Sequence, residues 1–220
     1  MLSRLADVKT QWFQDRYPGA TLNHGPERTV VVLHTTEGFS WPTYNGGSTA
    51  PNLTGLPPIR LRRGKWRQHF PLNKSSRALA NKSGGVETNT LNAIQIELIG
   101  TCDPKHRVSW DGKGVYKAGK DYVYWPEATK RQRNFVARML ADISEQTGMR
   151  LTTSVIWKAY PGSYGEKNPN RLTFAEWRNT VGVVGHQHVP ENSHGDPGNI
   201  NIFYMLDKAR SIKERRGRRP

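Results

Sequence analysis

The sequence predicts a mixed α/β domain, a central β-sheet flanked by helices. Three observations carry that prediction. Residues 29–36 form a β-branched run, residues 92–99 alternate apolar and polar, and residues 126–148 carry an apolar stripe at helical spacing. Strand-like and helix-like segments are interleaved along the chain, as a sheet with crossover helices requires.

The first element is Thr-Val-Val-Val-Leu-His-Thr-Thr at 29–36, bounded by Pro26 and Gly38 and carrying His34 near its C-terminal end. Residues 37–58 hold Gly38, Pro42, Gly46, Gly47, Pro51, Gly55, Pro57 and Pro58 and read as a long loop. Residues 60–62 and 66–70 suggest a hairpin around Gly64. At 92–99, Ile94, Ile96 and Leu98 share one strand face, and Gln95 and Glu97 share the other. Phe135, Val136, Met139, Leu140 and Ile143 form the stripe of the helix at 126–148, with Pro126 and Glu127 in its first turn and Gly148 at its end. Residues 181–186 read as a short buried strand ending at His186. Ile202, Phe203, Leu206 and Ala209 mark a final amphipathic helix.

Composition narrows the classes. The chain has 220 residues and a net charge of +15, with 35% hydrophobic and 10% aromatic residues, enough aromatic mass to exclude full disorder. The longest aliphatic run is Val30-Val31-Val32-Leu33, far short of the ~20 residues a bilayer-spanning helix needs. The first seven residues lack the apolar core of a signal peptide, and the single cysteine, Cys102, rules out an internal disulfide. A protein made in a reducing cytoplasm is expected. Two stretches hold the excess charge. Residues 60–77 carry Arg60, Arg62, Arg63, Lys65, Arg67, Lys74 and Arg77 without an acid. Residues 208–220 carry Lys208, Arg210, Lys213, Arg215, Arg216, Arg218 and Arg219 against Glu214. Such patches suit a polyanion, either nucleic acid or an anionic cell envelope. No helix-turn-helix, zinc-finger or RNA-recognition signature accompanies them.

The chemistry concentrates in Gly185-His186-Gln187-His188-Val189-Pro190-Glu191-Asn192-Ser193-His194-Gly195-Asp196-Pro197-Gly198. A strand ending in histidine, followed by a Gly/Pro/Asn loop with an aspartate, gathers several ligand-capable groups, and His34 at the end of another strand can complete the set. Two imidazoles and a carboxylate with an open fourth position form a common catalytic zinc site, where bound water reaches a pKa near ~7. His188 competes as a ligand, because residues two apart on an extended segment point the same way.

Three segments together resemble the zinc-dependent N-acetylmuramoyl-L-alanine amidases of the type 2 family, which share their fold with the peptidoglycan recognition proteins. They are Val31-Val32-Leu33-His34-Thr35-Thr36-Glu37-Gly38, then Asn92-Ala93-Ile94-Gln95-Ile96-Glu97-Leu98-Ile99-Gly100, then the 185–198 loop. The resemblance spans about residues 29–207. It implies a central mixed sheet with helices on both sides, a Zn²⁺ cofactor held by His34, His186 and Asp196, and Glu97 as the catalytic glutamate. Two departures stand out. His194 occupies the place of a lysine common two residues before the ligand aspartate, and Arg77-Ala78-Leu79-Ala80-Asn81 lacks a Trp-His pair often seen along the substrate cleft. His194 is then expected to face the developing oxyanion, and His188 either to support the ligands from behind or to face substrate.

The implied activity is hydrolysis of the amide bond between N-acetylmuramic acid and L-alanine in bacterial peptidoglycan. Arg60, Arg62, Arg63 and Lys65 would hold the enzyme on an anionic wall polymer. A strongly basic murein hydrolase without an export signal fits a phage endolysin, a monomer acting on the wall after the membrane is permeabilised; a recycling amidase is the other host context. The expected organisation is an N-terminal extension at 1–28, a catalytic domain at 29–207 and a basic tail or linker at 208–220. A non-catalytic peptidoglycan-binding module and a basic nucleic-acid-binding protein are the alternatives.

Overall fold

The computed structural model describes residues 8–109 and 123–218. Its centre is a six-stranded mixed sheet. The strands are β1 (Lys9–Thr10), β2 (Val30–Thr35), β3 (Leu53–Leu56), β4 (Lys65–Gln68), β5 (Ala93–Leu98) and β6 (Gly182–Gly185), in the order β1-β4-β3-β5-β2-β6. β2 is buried at every position, as its β-branched run requires of a strand covered on both faces. It pairs in parallel with β5 on one side, His34 opposite Glu97 and Val32 opposite Gln95, and with β6 on the other. β3 lies parallel to β5 and antiparallel to β4, and β1 closes the edge.

Because side chains alternate along a strand, the sheet has two unlike faces. Val31, Leu33, Ile94, Ile96 and Leu98 point to one, which is covered by α1 (Lys130–Thr147) and α3 (Ile202–Gly217) through Phe135, Val136, Met139, Leu140, Met205 and Leu206. Val30, Val32, Ala93 and Val184 point to the other and meet Leu79, Val86, Val189 and Trp177 of α2 (Phe174–Asn179) in a smaller cluster. His34, Gln95 and Glu97 belong to this second face, at the C-terminal ends of β2 and β5. Among the described residues, no helix is long and apolar enough to cross a membrane.

Several boundaries differ from the sequence reading. α1 begins at Lys130, where Thr129 accepts the amide of Gln132 and Gln132 returns the bond; Pro126 and Glu127 lie in a separate short turn. Gly148 ends α1 at φ 74°, as expected of a left-handed cap. The 37–58 segment is not loop throughout, since β3 lies within it. The hairpin therefore joins β3 to β4, with only an isolated Ile59–Arg62 bridge near its tip. The final strand stops at Gly185, one residue before His186. The basic C-terminal segment is helical to Gly217, because Arg216 pairs with Asp142 and Glu145, and Lys213 donates to Ser144 Oγ at 3.0 Å, both on α1. Phe203 lies outside the stripe of α3 at 66% exposure, while Met205 and Ile212 are inside it. At the other end, residues 8–28 pack onto the domain through β1 and buried Leu22. The signal-peptide reading at residues 1–7 and the last tail residues, 219–220, fall outside the described residues.

Candidate metal centre and cleft

His34 reaches the site from the end of β2, and His186 from the first residue after β6, so parallel pairing of two adjacent strands brings both imidazoles to one point. Their ring centroids are 4.5 Å apart. Asp196 comes from the loop that follows. Its Oδ1 lies 3.1 Å from His186 Nδ1 and its Oδ2 3.9 Å from His34 Nδ1. One ligand atom from each of the three falls within 4.8 Å of the others, and all three residues are buried. Gly195 allows the approach, since a Cβ there would sit 2.2 Å from the Tyr164 ring.

The outer nitrogens of both imidazoles are committed. His34 Nε2 is 2.7 Å from Gln95 Oε1, and His186 Nε2 is 3.1 Å from Asn192 Oδ1. An amide oxygen only accepts, so each ring donates from Nε2 and turns Nδ1 towards Asp196. Asp196 Oδ2 also accepts the Thr35 amide at 2.9 Å. Burial first, and then the neighbouring His186, holds His34 down at about 3. Proximity to His186 and His34 and the Thr35 bond outweigh burial and keep Asp196 well below the usual carboxylate range. Two imidazoles and a carboxylate, with second partners holding both rings, form a donor set that could hold a metal ion.

Arg171 holds the loop that carries these groups. Its guanidinium donates to the carbonyls of Gly165 (2.7 Å), His186 (3.2 Å), Val189 (3.0 Å) and His194 (2.7 Å). His194 is mostly exposed and stacks on His186 at 5.1 Å with the rings 9° apart; its Nδ1 is 3.9 Å from Asp196 Oδ1. His188 does not face substrate. A helical turn follows Gly185, so His186 and His188 are not on one extended segment and point apart. His188 is buried, accepts the Gly185 amide at Nδ1 (2.9 Å), donates from Nε2 to the Ile156 carbonyl (3.0 Å) and stands edge-on to Trp157. Burial lowers it to about 4, so it is a neutral strut beneath the loop.

His186 and Asp196 line a cleft of about 940 Å³, together with Glu37, Glu97, Tyr44, Arg77 and Glu191, and His34 lies behind them. Glu97 Oε2 is buried without a hydrogen-bond partner. Burial, and then the charges of Asp196 and Glu37, raise the Glu97 pKa well above its ordinary value. Tyr44 Oη meets Thr54 Oγ1 at 2.6 Å, and burial raises its pKa as well. The 77–81 segment forms part of the cleft wall. Arg60, Arg62, Arg63 and Lys65 do not line it. Their hairpin tip turns towards α1, where Arg131 donates to the Arg60 and Arg62 carbonyls and Trp66 stacks on Phe135 at 4.4 Å. The tip packs on the helix side of the sheet, so these four residues lie apart from the cleft.

Sequence reasoning missed Gln95, Asn192, Arg171 and Tyr44 as parts of the site. Strand alternation had already put Gln95 on the face of Glu97, and that was the one available signal.

No protein-family model matches the sequence, and no curated protein matches it. Among solved structures, a mutant of PlyL aligns at 8% identity and a TM-score of 0.37, over 66% of this chain and 77% of that one.

Proposed function

We propose that the protein is a zinc-dependent N-acetylmuramoyl-L-alanine amidase whose substrate is bacterial peptidoglycan. The observation that carries this reading is the buried His34–His186–Asp196 set opening into a cleft beside an unpartnered glutamate. A zinc ion bound there would polarise the scissile carbonyl and lower the pKa of water.

This chain's own residues do the rest. Gln95 and Asn192 hold the two imidazoles with Nδ1 inward. The Glu97 carboxylate takes the proton from the attacking water and returns it to the departing amine nitrogen. Its raised affinity for a proton, due to burial and the two neighbouring carboxylates, suits a group that must both accept and donate one. His194, at the open side of the loop and stacked on His186, presents a ring N–H towards the carbonyl oxygen as negative charge develops there. The catalytic unit is assigned to 29–207, with the preceding residues supporting the sheet edge and α3 continuing from the domain. The hairpin at Arg60, Arg62, Arg63 and Lys65 serves adhesion to an anionic wall polymer rather than the reaction.

The test pairs elemental analysis of the purified protein with release of new amino termini from purified cell walls. One equivalent of zinc and release that stops on chelation are expected. Zinc binding without release would leave a peptidoglycan-binding module, and neither zinc nor release would overturn the reading.

A further inference from the structure

The cleft runs against the charge of the whole molecule. In a chain of net charge +15, its described lining carries the carboxylates of Glu37, Glu97, Glu166, Glu191 and Asp196 against the guanidinium of Arg77. Most of these acids are engaged. Glu37 accepts from Thr35 Oγ1, Thr101 Oγ1 and the Cys102 amide. Glu166 pairs with Lys82 at 3.3 Å. Asp196 belongs to the metal centre, and Glu97 to proton transfer. Arg77 donates to the Ser48 carbonyl and lies over the Tyr17 ring.

Glu191 is different. Its Oε2 is buried with no hydrogen-bond partner. It presses against the backbone of Gly85 so closely that a Cβ there would lie 1.9 Å from Oε1. Its own backbone is left-handed, at φ 63°, a conformation that a non-glycine residue adopts at a cost. It directly precedes Asn192, the partner of His186 Nε2. A half-buried carboxylate without a partner destabilises the protein unless something else supplies the partner. An unpartnered carboxylate oxygen and backbone strain coincide at one residue on the cleft wall.

We infer that Glu191 is a specificity-determining residue that receives a primary ammonium group of the substrate peptide. The inference rests on the amidase reading and sharpens it. The preferred substrate is a peptidoglycan stem whose diamino-acid side chain keeps a free amine, as it does where no cross-link has formed. Cross-linked or N-acylated stems lose the charge and the preference. Gly85 gives the carboxylate its place, and Asn192 ties that place to the metal centre.

The experiment uses two soluble muramyl peptides, identical except that the side-chain amine is free in one and N-acetylated in the other. KM and kcat are measured for the full chain, and affinity is measured by calorimetry on Glu97→Gln, which does not depend on turnover. The free amine should lower KM by about tenfold, the scale of one charge-assisted hydrogen bond. Glu191→Gln should abolish that difference, and Glu191→Asp should retain part of it. Equal KM and affinity for both peptides in the unmodified chain, or a preference that survives in Glu191→Gln, would overturn the inference. If Glu191→Gln does not fold, the unmodified chain and Glu191→Asp still decide the matter. If neither peptide is cut, the amidase reading fails, while calorimetry still reports whether the ammonium is preferred.

Discussion

On β5, Ile94, Ile96 and Leu98 turn towards α1 and α3, while Gln95 and Glu97, one residue out of phase, turn towards the cleft. β2 repeats the division with Val31 and Leu33 on one side and His34 on the other. The helix face is built from close-packed aliphatic side chains that need no partner beyond each other. The cleft face holds polar groups, most of them paired, and leaves two carboxylate oxygens, on Glu97 and Glu191, unpaired. One face supplies stability and the other keeps groups in states that cost stability. Substitutions a single residue apart should therefore affect different observables.

The largest separation is expected between Asp196→Ala and Ile96→Ala. Asp196→Ala should bring amide hydrolysis to background and release zinc while leaving thermal unfolding of the metal-free protein cooperative. Ile96→Ala should cost about 2–5 kcal/mol of stability in denaturant titration while activity per folded molecule holds. If Ile96→Ala removed zinc at full stability, the two faces would not be independent. Next comes Glu97→Gln, which keeps shape but not the proton acceptor. Turnover should fall by roughly 10²–10⁴ with zinc content unchanged; near-native turnover would remove Glu97 from the reaction.

Asn192→Ala probes the support of the metal centre. Losing the partner of His186 Nε2 should weaken zinc affinity by about 10–100-fold in competition with a chelator, and an unchanged affinity would mean the ring holds its orientation without the amide. A smaller effect is expected from pH. Burial holds His34 at about 3, and His69 and His188 at about 4, against 6.5 for an unperturbed imidazole. At these imidazoles the unfolded chain therefore takes up protons first as pH falls, and Glu97, raised by burial, offsets only part of the loss. The metal-free protein should be at full stability above about pH 6.5 and lose roughly 5–10 °C in Tm on the way to pH 4. A flat profile would show these imidazoles to be solvated. The smallest change should follow reversal of Arg60, Arg62, Arg63 and Lys65 to glutamate. Binding to purified walls should weaken and lose its salt dependence, while turnover of a soluble fragment stays within about twofold, because the hairpin tip lies on the helix side. Equal losses on both substrates would put these residues at the reaction.

Periodicity made β2, β5, β6 and α1 legible, because each buries a continuous apolar set whose spacing survives in the sequence. Strand ends could be read for the same reason, and with them His34, His186 and Glu97. β3 was hidden because Leu53–Leu56 is short, contains Gly55 and follows a Gly/Pro-rich stretch. Its extended form comes from pairing with β4 and β5 on both sides. His188 was misread because two-residue spacing has meaning only on an extended chain, and the chain turns after Gly185. Gln95, Asn192 and Arg171 act through amide and guanidinium bonds to partners distant in sequence, and no local pattern marks them. The basic C-terminal segment looked free because its acidic partners, Asp142 and Glu145, lie on another helix.

The parallel register that sets His34 opposite Glu97 also governs which length changes the gene tolerates. Deleting one codon within β2 would swing His34 into the helix-covered interior and bring a valine or threonine to the cleft, erasing chemistry and core at one stroke. Glu97 would meet the same fate from a deletion in β5. The connection between β2 and β3 has no such parity to preserve. Length variation among descendants of this sequence should accumulate in that connection and leave an unbroken reading frame of fixed length through the two central strands.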